Sequence, residues 1–231
     1  MNNARWRWTL LLAAGCVLAA ATAQDSERSR YYIQQMIELA ATPDEAGVTA
    51  MQRMLEQEPR PASPNAAAAQ AALQHGQAAL RAEDLNAALT AFQQASQQDP
   101  ASADAFNYLG LVQRKLGRLT DAERDLQQAL ALEPVRAVAW FQLAQVYGLM
   151  GDGRRARGAL ANTYRFAQNP MRAEEMLRNI AENEASDTLR TAALETLRLY
   201  HLPAEAVIVP PLPVQPGIVP LQNPLGSRRA P

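Results

Sequence analysis

The sequence predicts an all-α protein in which helical hairpins stack side by side as an α-solenoid. The main observation is a pattern of small, aromatic and turn-forming residues that returns every 34 residues. In addition, the apolar residues between turns follow the helical period, and no run alternates as a strand would. Prolines and glycines divide the chain into ten such helical segments.

The repeated pattern explains how two helices of one hairpin can pack closely. Its first copy consists of Gly76, Ala88, Phe92, Ala95 and Pro100, which recur 34 residues later as Gly110, Ala122, Leu126, Ala129 and Pro134. A third copy begins on the same spacing with Trp140, Leu143, Ala144, Tyr147 and Ala156. Glycine or alanine at the eighth and twentieth positions leaves room at the helix crossing, and larger residues fill the space beside it. Proline near the end of a copy stops the second helix.

These residue types on this spacing resemble the tetratricopeptide repeat (TPR) family, whose repeats are about 34 residues long. The resemblance covers residues 69 to about 168. It implies a right-handed α-solenoid with three repeats, at 69–102, 103–136 and 137–170. Each repeat would consist of a helix A, a tight turn and a helix B.

The same resemblance implies a concave groove, lined by the A helices, that binds a peptide or helix of another protein. Its principal residues are Leu73, Gln77, Asp104, Asn107, Leu111, Arg114, Phe141 and Gln145, and the other positions are Gln70, Leu80, Val138 and Gly148. We expect Leu73, Leu111 and Phe141 to supply contact area. The amide and guanidinium groups are expected to hydrogen-bond a peptide backbone. The Lys and Arg set with which some family members clamp a terminal carboxylate is absent from these positions.

Residues 1–23 have the three parts of a secretory signal peptide. Arg5 and Arg7 form the basic start, an uncharged apolar run covers 9–21, and Ala21-Thr22-Ala23 ends the segment with small residues. The sequence therefore predicts an exported protein that begins at Gln24, with the periplasm as the expected compartment. Secretion and outer-membrane attachment are the alternatives.

The only cysteine, Cys16, follows Ala13-Ala14-Gly15 and loosely resembles a lipoprotein cleavage site. One interpretation is a lipid-modified mature start, which would place the protein on a membrane. The other is a small apolar residue in a removed leader. In the second case the mature chain has no cysteine, so neither a disulfide nor thiol chemistry is available to it.

Segments without the repeat pattern flank the three copies. Residues 24–58 predict a helical hairpin that either caps the solenoid or helps it to form a homo-oligomer, and 59–65 predict a linker. Two further amphipathic helices over 171–202 are expected to cap the other end. The tail, 203–231, has eight prolines in 29 residues and cannot be helical. It either ends free or docks on a groove of its own chain or of a partner.

Composition and motifs argue against several functions. Without residues 1–23 the chain has 20 basic and 23 acidic side chains, which argues against nucleic-acid binding. Its two histidines, His75 and His201, are far apart, and we expect His75 to be partly buried between helices. No metal-ligand spacing, phosphate-binding glycine loop or nucleophile elbow is present. We therefore expect no cofactor and no enzymatic activity.

An arginine cluster and the flanking composition leave alternatives open. Arg154, Arg155 and Arg157 either pair with carboxylates of adjacent helices or form a patch for an anionic partner. The expected function is a non-enzymatic scaffold or adaptor of the cell envelope. The alternatives are an accessory or catalytic protein of cell-wall metabolism and a lipid-anchored component of a pilus or secretion assembly.

Overall fold

The computed structural model describes residues 26–203, which are entirely helical and turn structure with no strand among them. The helices are α1 (26–41), α2 (Glu45–Glu56), α3 (Ala66–Arg81), α4 (Leu85–Gln98), α5 (Ala103–Lys115), α6 (Leu119–Leu132), α7 (Ala137–Leu149), α8 (Gly153–Arg165), α9 (Pro170–Asn183) and α10 (Asp187–Leu199). The predicted all-α fold is confirmed. The predicted signal peptide, Cys16 and the tail after Pro203 lie outside the described residues.

The helix boundaries follow from capping residues in the sequence. Seven helices begin after a side chain that accepts a hydrogen bond from a backbone N–H three residues later. These residues are Asp44, Asn65, Asp84, Ser102, Asp152, Asn169 and Ser186. Between helices A and B, Gly117 and Gly151 adopt φ angles of 75° and 77°, and Glu83 takes the same place in the first hairpin with φ 59°. No helix within 26–203 is both long and apolar enough to cross a membrane.

Helices α3 to α8 form three hairpins whose small residues lie at the helix crossings. Ala88, Ala122 and Ala156 are fully buried, as the repeat pattern predicts. A side chain at Gly76 would meet the ring of Phe92, and one at Gly110 would meet Leu126. The close approach of helices A and B therefore depends on the small residues at these positions.

The N-terminal hairpin, α1 and α2, packs on the B helices of the second and third repeats. Ile33, Met36 and Ile37 of α1 are completely buried in a core shared with α6 and α8. Asn162 of α8 is also fully buried and donates to the carbonyl oxygen of Met36 over 3.1 Å. The hairpin therefore covers the convex face and does not stack on the first repeat, where an end cap would lie.

This placement corrects the expectation for His75, which is exposed. Its counterparts at the seventh position of the next two repeats, Leu109 and Leu143, are buried. Each of these packs where its A helix meets the B helix of the preceding repeat. Helix α3 has no preceding B helix, and the hairpin that could have replaced one lies on the convex face.

The C-terminal pair packs on the third repeat in an arrangement of its own. Helix α10 contacts both α7 and α8, so that Leu189 lies against Gly148. Arg157 of α8 pairs with Glu195 of α10 over 3.1 Å, and the hydroxyl of Tyr200 donates to the carbonyl of Ala161. Helix α10 therefore ends the core of the solenoid, and α9 lies outside it.

A polar pair joins the two helices of the second repeat. Gln113 of α5 donates through Nε2 to Oδ2 of Asp125 on α6 over 2.9 Å, and both side chains are buried. Burial raises the pKa of the Asp125 carboxyl, although the hydrogen bond from Gln113 and the neighbouring Arg124 oppose the shift. The folded protein therefore binds this proton more tightly than the unfolded chain does.

We expect the Asp125→Asn variant to have a different pH dependence of stability from the parent protein. A raised pKa in the folded state adds stability at pH values below the ordinary value of 3.8, and this contribution disappears as the pH rises through the folded-state pKa. On acidification from neutral pH the parent should thus gain unfolding free energy relative to the variant. Urea unfolding of both proteins at several pH values measures this difference. Parallel pH profiles would contradict it.

Candidate functional site

The A helices α3, α5 and α7 lie side by side and present the predicted groove positions at equivalent places. The second position of each repeat, Gln70, Asp104 and Val138, is exposed in all three copies. The ninth position, Gln77, Leu111 and Gln145, is half-buried in all three. These two positions give the face its surface of mixed polar and apolar groups.

The fifth position contributes less surface than the sequence suggests. Leu73 is only 6% exposed and belongs to the core with Phe92 and Leu109. Asn107 is 5% exposed, and its Oδ1 accepts no hydrogen bond from the residues that the structure describes. Phe141 alone remains half-buried. The contact area expected of Leu73 and the open hydrogen-bonding group expected of Asn107 are therefore corrected to buried positions.

Two of the polar groove residues are held by neighbouring repeats. Gln77 donates through Nε2 to the hydroxyl of Tyr108 over 3.1 Å, and Tyr108 stacks on Phe92 with 4.9 Å between ring centres. Asp104 forms an ion pair with Arg136 at the start of the third repeat. Their orientation is thus fixed before any partner arrives, which lowers the entropy cost of binding.

At the far end of the A helices, Arg114 and Gln145 lie beside the corner between α9 and α10. They share a small pocket of about 50 Å³ with Leu149, Glu184 and Leu189. Burial lowers the pKa of the Arg114 guanidinium, and the nearby Glu184 carboxylate partly offsets this effect. The Nε of Arg114 donates no hydrogen bond within 26–203. The C-terminal pair therefore narrows the groove at this end.

A larger cleft at the opposite end of α7 was not predicted. It has a volume of about 660 Å³ and lies between the start of α7, the end of α8 and the first two turns of α9. Its apolar wall combines the groove residues Val138 and Phe141 with Val135, Phe166 and Met176. The late closing proline of the third repeat, Pro170, was the one sequence signal for an altered geometry here.

The three arginines of the predicted anionic patch are each paired with carboxylates of the same chain. Arg154 lies 2.5 Å from Glu38 on α1, and Arg157 pairs with Glu195 as described above. Arg155 binds Asp152 and Glu123, both at 2.7 Å. The cluster therefore joins α8 to the N-terminal hairpin, the second repeat and α10, and does not present an unopposed cationic surface.

The Arg155 interactions extend into a network between the second and third repeats. The guanidinium carbon lies 4.3 Å from the centre of the Tyr147 ring, and the hydroxyl of Tyr147 donates to Glu123. Burial raises the pKa of Tyr147, which therefore stays neutral. Among residues 26–203, no group of three or more His, Cys, Asp and Glu side chains is placed to hold a metal ion.

Comparison with known proteins matches the repeated part of the chain to one family. A family model described as "Tetratricopeptide repeat" matches residues 73–131 and, in an overlapping placement, 111–148. No curated protein matches the sequence.

Several solved structures are similar in fold. A mutant O-GlcNAc transferase from Thermobaculum terrenum matches with 26% identity and a TM-score of 0.47 over 61% of this chain. The match spans only 28% of that transferase. One crystal structure of MamA matches with 23% identity and a TM-score of 0.47, covering 69% of this chain and 88% of MamA. Another crystal structure of MamA protein gives 22% identity, a TM-score of 0.46 and coverages of 79% and 97%.

Proposed function

Because this chain is a tetratricopeptide repeat protein, we propose that it is a non-enzymatic scaffold that binds a peptide or helix of another protein on the face of its A helices. One observation carries this proposal. The chain covers the convex face of its second and third repeats with its own N-terminal hairpin, yet the second and ninth positions of all three A helices stay exposed or half-buried.

The exposed groups suit an extended peptide better than an anionic or metal ligand. Gln77 and Gln145 carry amides that both donate and accept hydrogen bonds, as a peptide backbone requires. Leu111 lies between them at the same register and offers apolar contact. A partner that places alternate side chains on this row would gain both kinds of interaction.

We expect a Leu111→Glu substitution to weaken partner binding about tenfold or more, which corresponds to about 1.4 kcal/mol. A charge at the centre of the row would lose apolar contact and would have to be desolvated by the partner. The partner is first identified by placing a photo-crosslinking amino acid at residue 111 in cells, and its affinity is then measured with purified proteins. Position 94, an exposed residue of α4, is the matched control for both steps. Equal crosslinking at the two positions, or unchanged affinity of the Leu111→Glu variant, would reject the groove.

We further propose that the scaffold works in the bacterial cell envelope. The support is the sequence of residues 1–23, with its basic start, uncharged apolar run and small residues before Gln24. Removal of this leader places the protein in the periplasm. Lipid attachment at Cys16 would instead place it on the outer membrane.

Export predicts a specific mature chain. Intact-mass measurement of the protein from the cell envelope should give a chain that begins at Gln24 and lacks Cys16. Substituting Ala21 and Ala23 by larger residues should block processing, because the cleavage site requires small side chains. A mature chain beginning at a lipid-modified Cys16 would favour the lipoprotein, and an uncleaved cytoplasmic chain would reject export.

A further inference from the structure

The cleft beside α7 combines three features that suit a proline-rich apolar segment. Phe141 and Phe166 contribute aromatic rings to its wall, and Val138 and Met176 add aliphatic surface. Its volume of about 660 Å³ lies within the range of about 300–1,000 Å³ typical of ligand pockets. Aromatic-lined grooves are the surfaces on which polyproline segments dock, since such segments lose little conformational entropy on binding.

The charge at the rim of the cleft is positive. Arg172 lines the cleft from the first turn of α9, is exposed, and has no carboxylate partner among residues 26–203. Arg136 also lines it, but this arginine is paired with Asp104 and Glu133. An occupant with an acidic residue beside its apolar part would therefore pair with Arg172.

The described chain ends close to this cleft. Helices α9 and α10 are of similar length and are joined by three residues, 184–186, so they form an antiparallel hairpin. The end of α10 consequently lies beside the start of α9, which forms one wall of the cleft. Tyr200, just after α10, packs on Tyr164 near the end of α8, which forms another wall, with 4.7 Å between ring centres.

We propose that the segment directly after Pro203 occupies the cleft of its own chain. Residues 205–213 read Glu-Ala-Val-Ile-Val-Pro-Pro-Leu-Pro. They combine one acidic residue, Glu205, with an apolar run and three prolines. Glu205 pairs with Arg172 at the rim, and the apolar residues that follow contact Phe141 and Phe166.

Docking of this segment has a consequence for the partner groove. It covers Val138 and Phe141, which are the second and fifth positions of the third repeat. An external partner is then confined to the first and second repeats unless it displaces the segment. The inference does not depend on the proposed function, because the cleft and its occupant belong to one chain.

The test measures the distance from the segment to the cleft in the full chain. Cys16→Ser removes the only cysteine, and Ile208→Cys then carries a nitroxide spin label. Methyl-labelled methionines report the position of the label by NMR. We expect the Met176 signal in the cleft to lose most of its intensity, whereas Met54 on α2 keeps its intensity as the reference.

Two substitutions of equal exposure on the same helix provide the matched control. Val138, at 57% exposed, lies in the cleft, and Leu149, at 54% exposed, lies at the other end of α7. Val138→Glu should restore the Met176 signal, and Leu149→Glu should leave it broadened. Arg172→Glu should also restore it, and adding Glu205→Arg should bring the broadening back.

Three results would overturn the proposal. The first is an unbroadened Met176 signal in the spin-labelled parent chain. The second is equal broadening of Met176 and Met54, which would show no preferred site. The third is broadening that grows with protein concentration, which would assign the cleft to the tail of a second copy. None of these readouts uses an external partner, so they are independent of the Leu111 experiment.

Discussion

Gly158→Ala should destabilise the protein by about 3 kcal/mol, at the upper end of the usual cost of overpacking. In an ordinary helix interior the same change stabilises by about 1 kcal/mol, so the sign itself is diagnostic. Here a Cβ atom would overlap the carbonyl oxygen of Ile37 and lie 2.9 Å from its carbonyl carbon. Backbone atoms cannot rotate away, and α1 would therefore have to move off α8.

The measurement combines chemical unfolding with hydrogen exchange. Unfolding gives the loss of free energy, and faster exchange of the α1 amides shows that the N-terminal hairpin has detached. Gly153→Ala is the matched control on the same helix, since its Cβ would lie 3.6 Å from Thr188, an ordinary contact. If Gly158→Ala were as stable as Gly153→Ala, the docking of α1 on the convex face would be wrong.

Trp140→Ala should lower the unfolding free energy by about 3–5 kcal/mol, the typical cost of removing a buried aromatic side chain. Trp140 is the largest fully buried side chain of the described residues. Its indole N–H donates to the carbonyl oxygen of Pro134 over 2.7 Å. The residue therefore fixes the end of the second repeat to the start of the third, and its loss should uncouple them.

Two further variants separate packing from hydrogen bonding at this site. Trp140→Phe keeps most of the ring volume but leaves Pro134 without its donor, and it should fall between the parent and Trp140→Ala. Phe141→Ala, at the next and half-buried position, should cost clearly less than Trp140→Ala. Similar losses for Trp140→Ala and Phe141→Ala in urea unfolding would refute the central role of Trp140.

The repeat architecture was predictable because its signals are local and recur in register. Ala88, Ala122 and Ala156 announce the helix crossings at a fixed spacing, and all three are fully buried in the structure. The turns were similarly visible, since Gly117 and Gly151 supply the positive φ angles that end helices A. Such features need only a few neighbouring residues to be interpreted.

The docking of α1 left a weaker signal that was missed. Gly158 stands where the first two repeats carry Thr90 and Arg124, and both of these side chains are exposed. A glycine inside a helix costs stability unless something approaches it closely. The substitution of a large convex-face residue by glycine in one copy alone could therefore have indicated a contact with another helix.

Some properties of the candidate site could not be predicted from position in the repeat. The fifth position is buried at Leu73 and Asn107 but half-buried at Phe141, although the three residues occupy the same register. The cleft that contains Phe141 also requires Phe166 and Met176 from α8 and α9. These helices meet there only because the third repeat is followed by a pair that packs differently.

The sequence by itself determined the helices, their turns, the three hairpins and the face on which each repeat is small, because these depend on short-range spacing and capping. Only the tertiary structure decided which surface the flanking helices cover. The apolar stripe of α1, with Ile33, Met36 and Ile37, indicates that this face is buried but carries no information on its partner. Several faces of a solenoid can accept such a stripe, and the choice was made by the combined fit of Gly158, Asn162 and the arginines of α8.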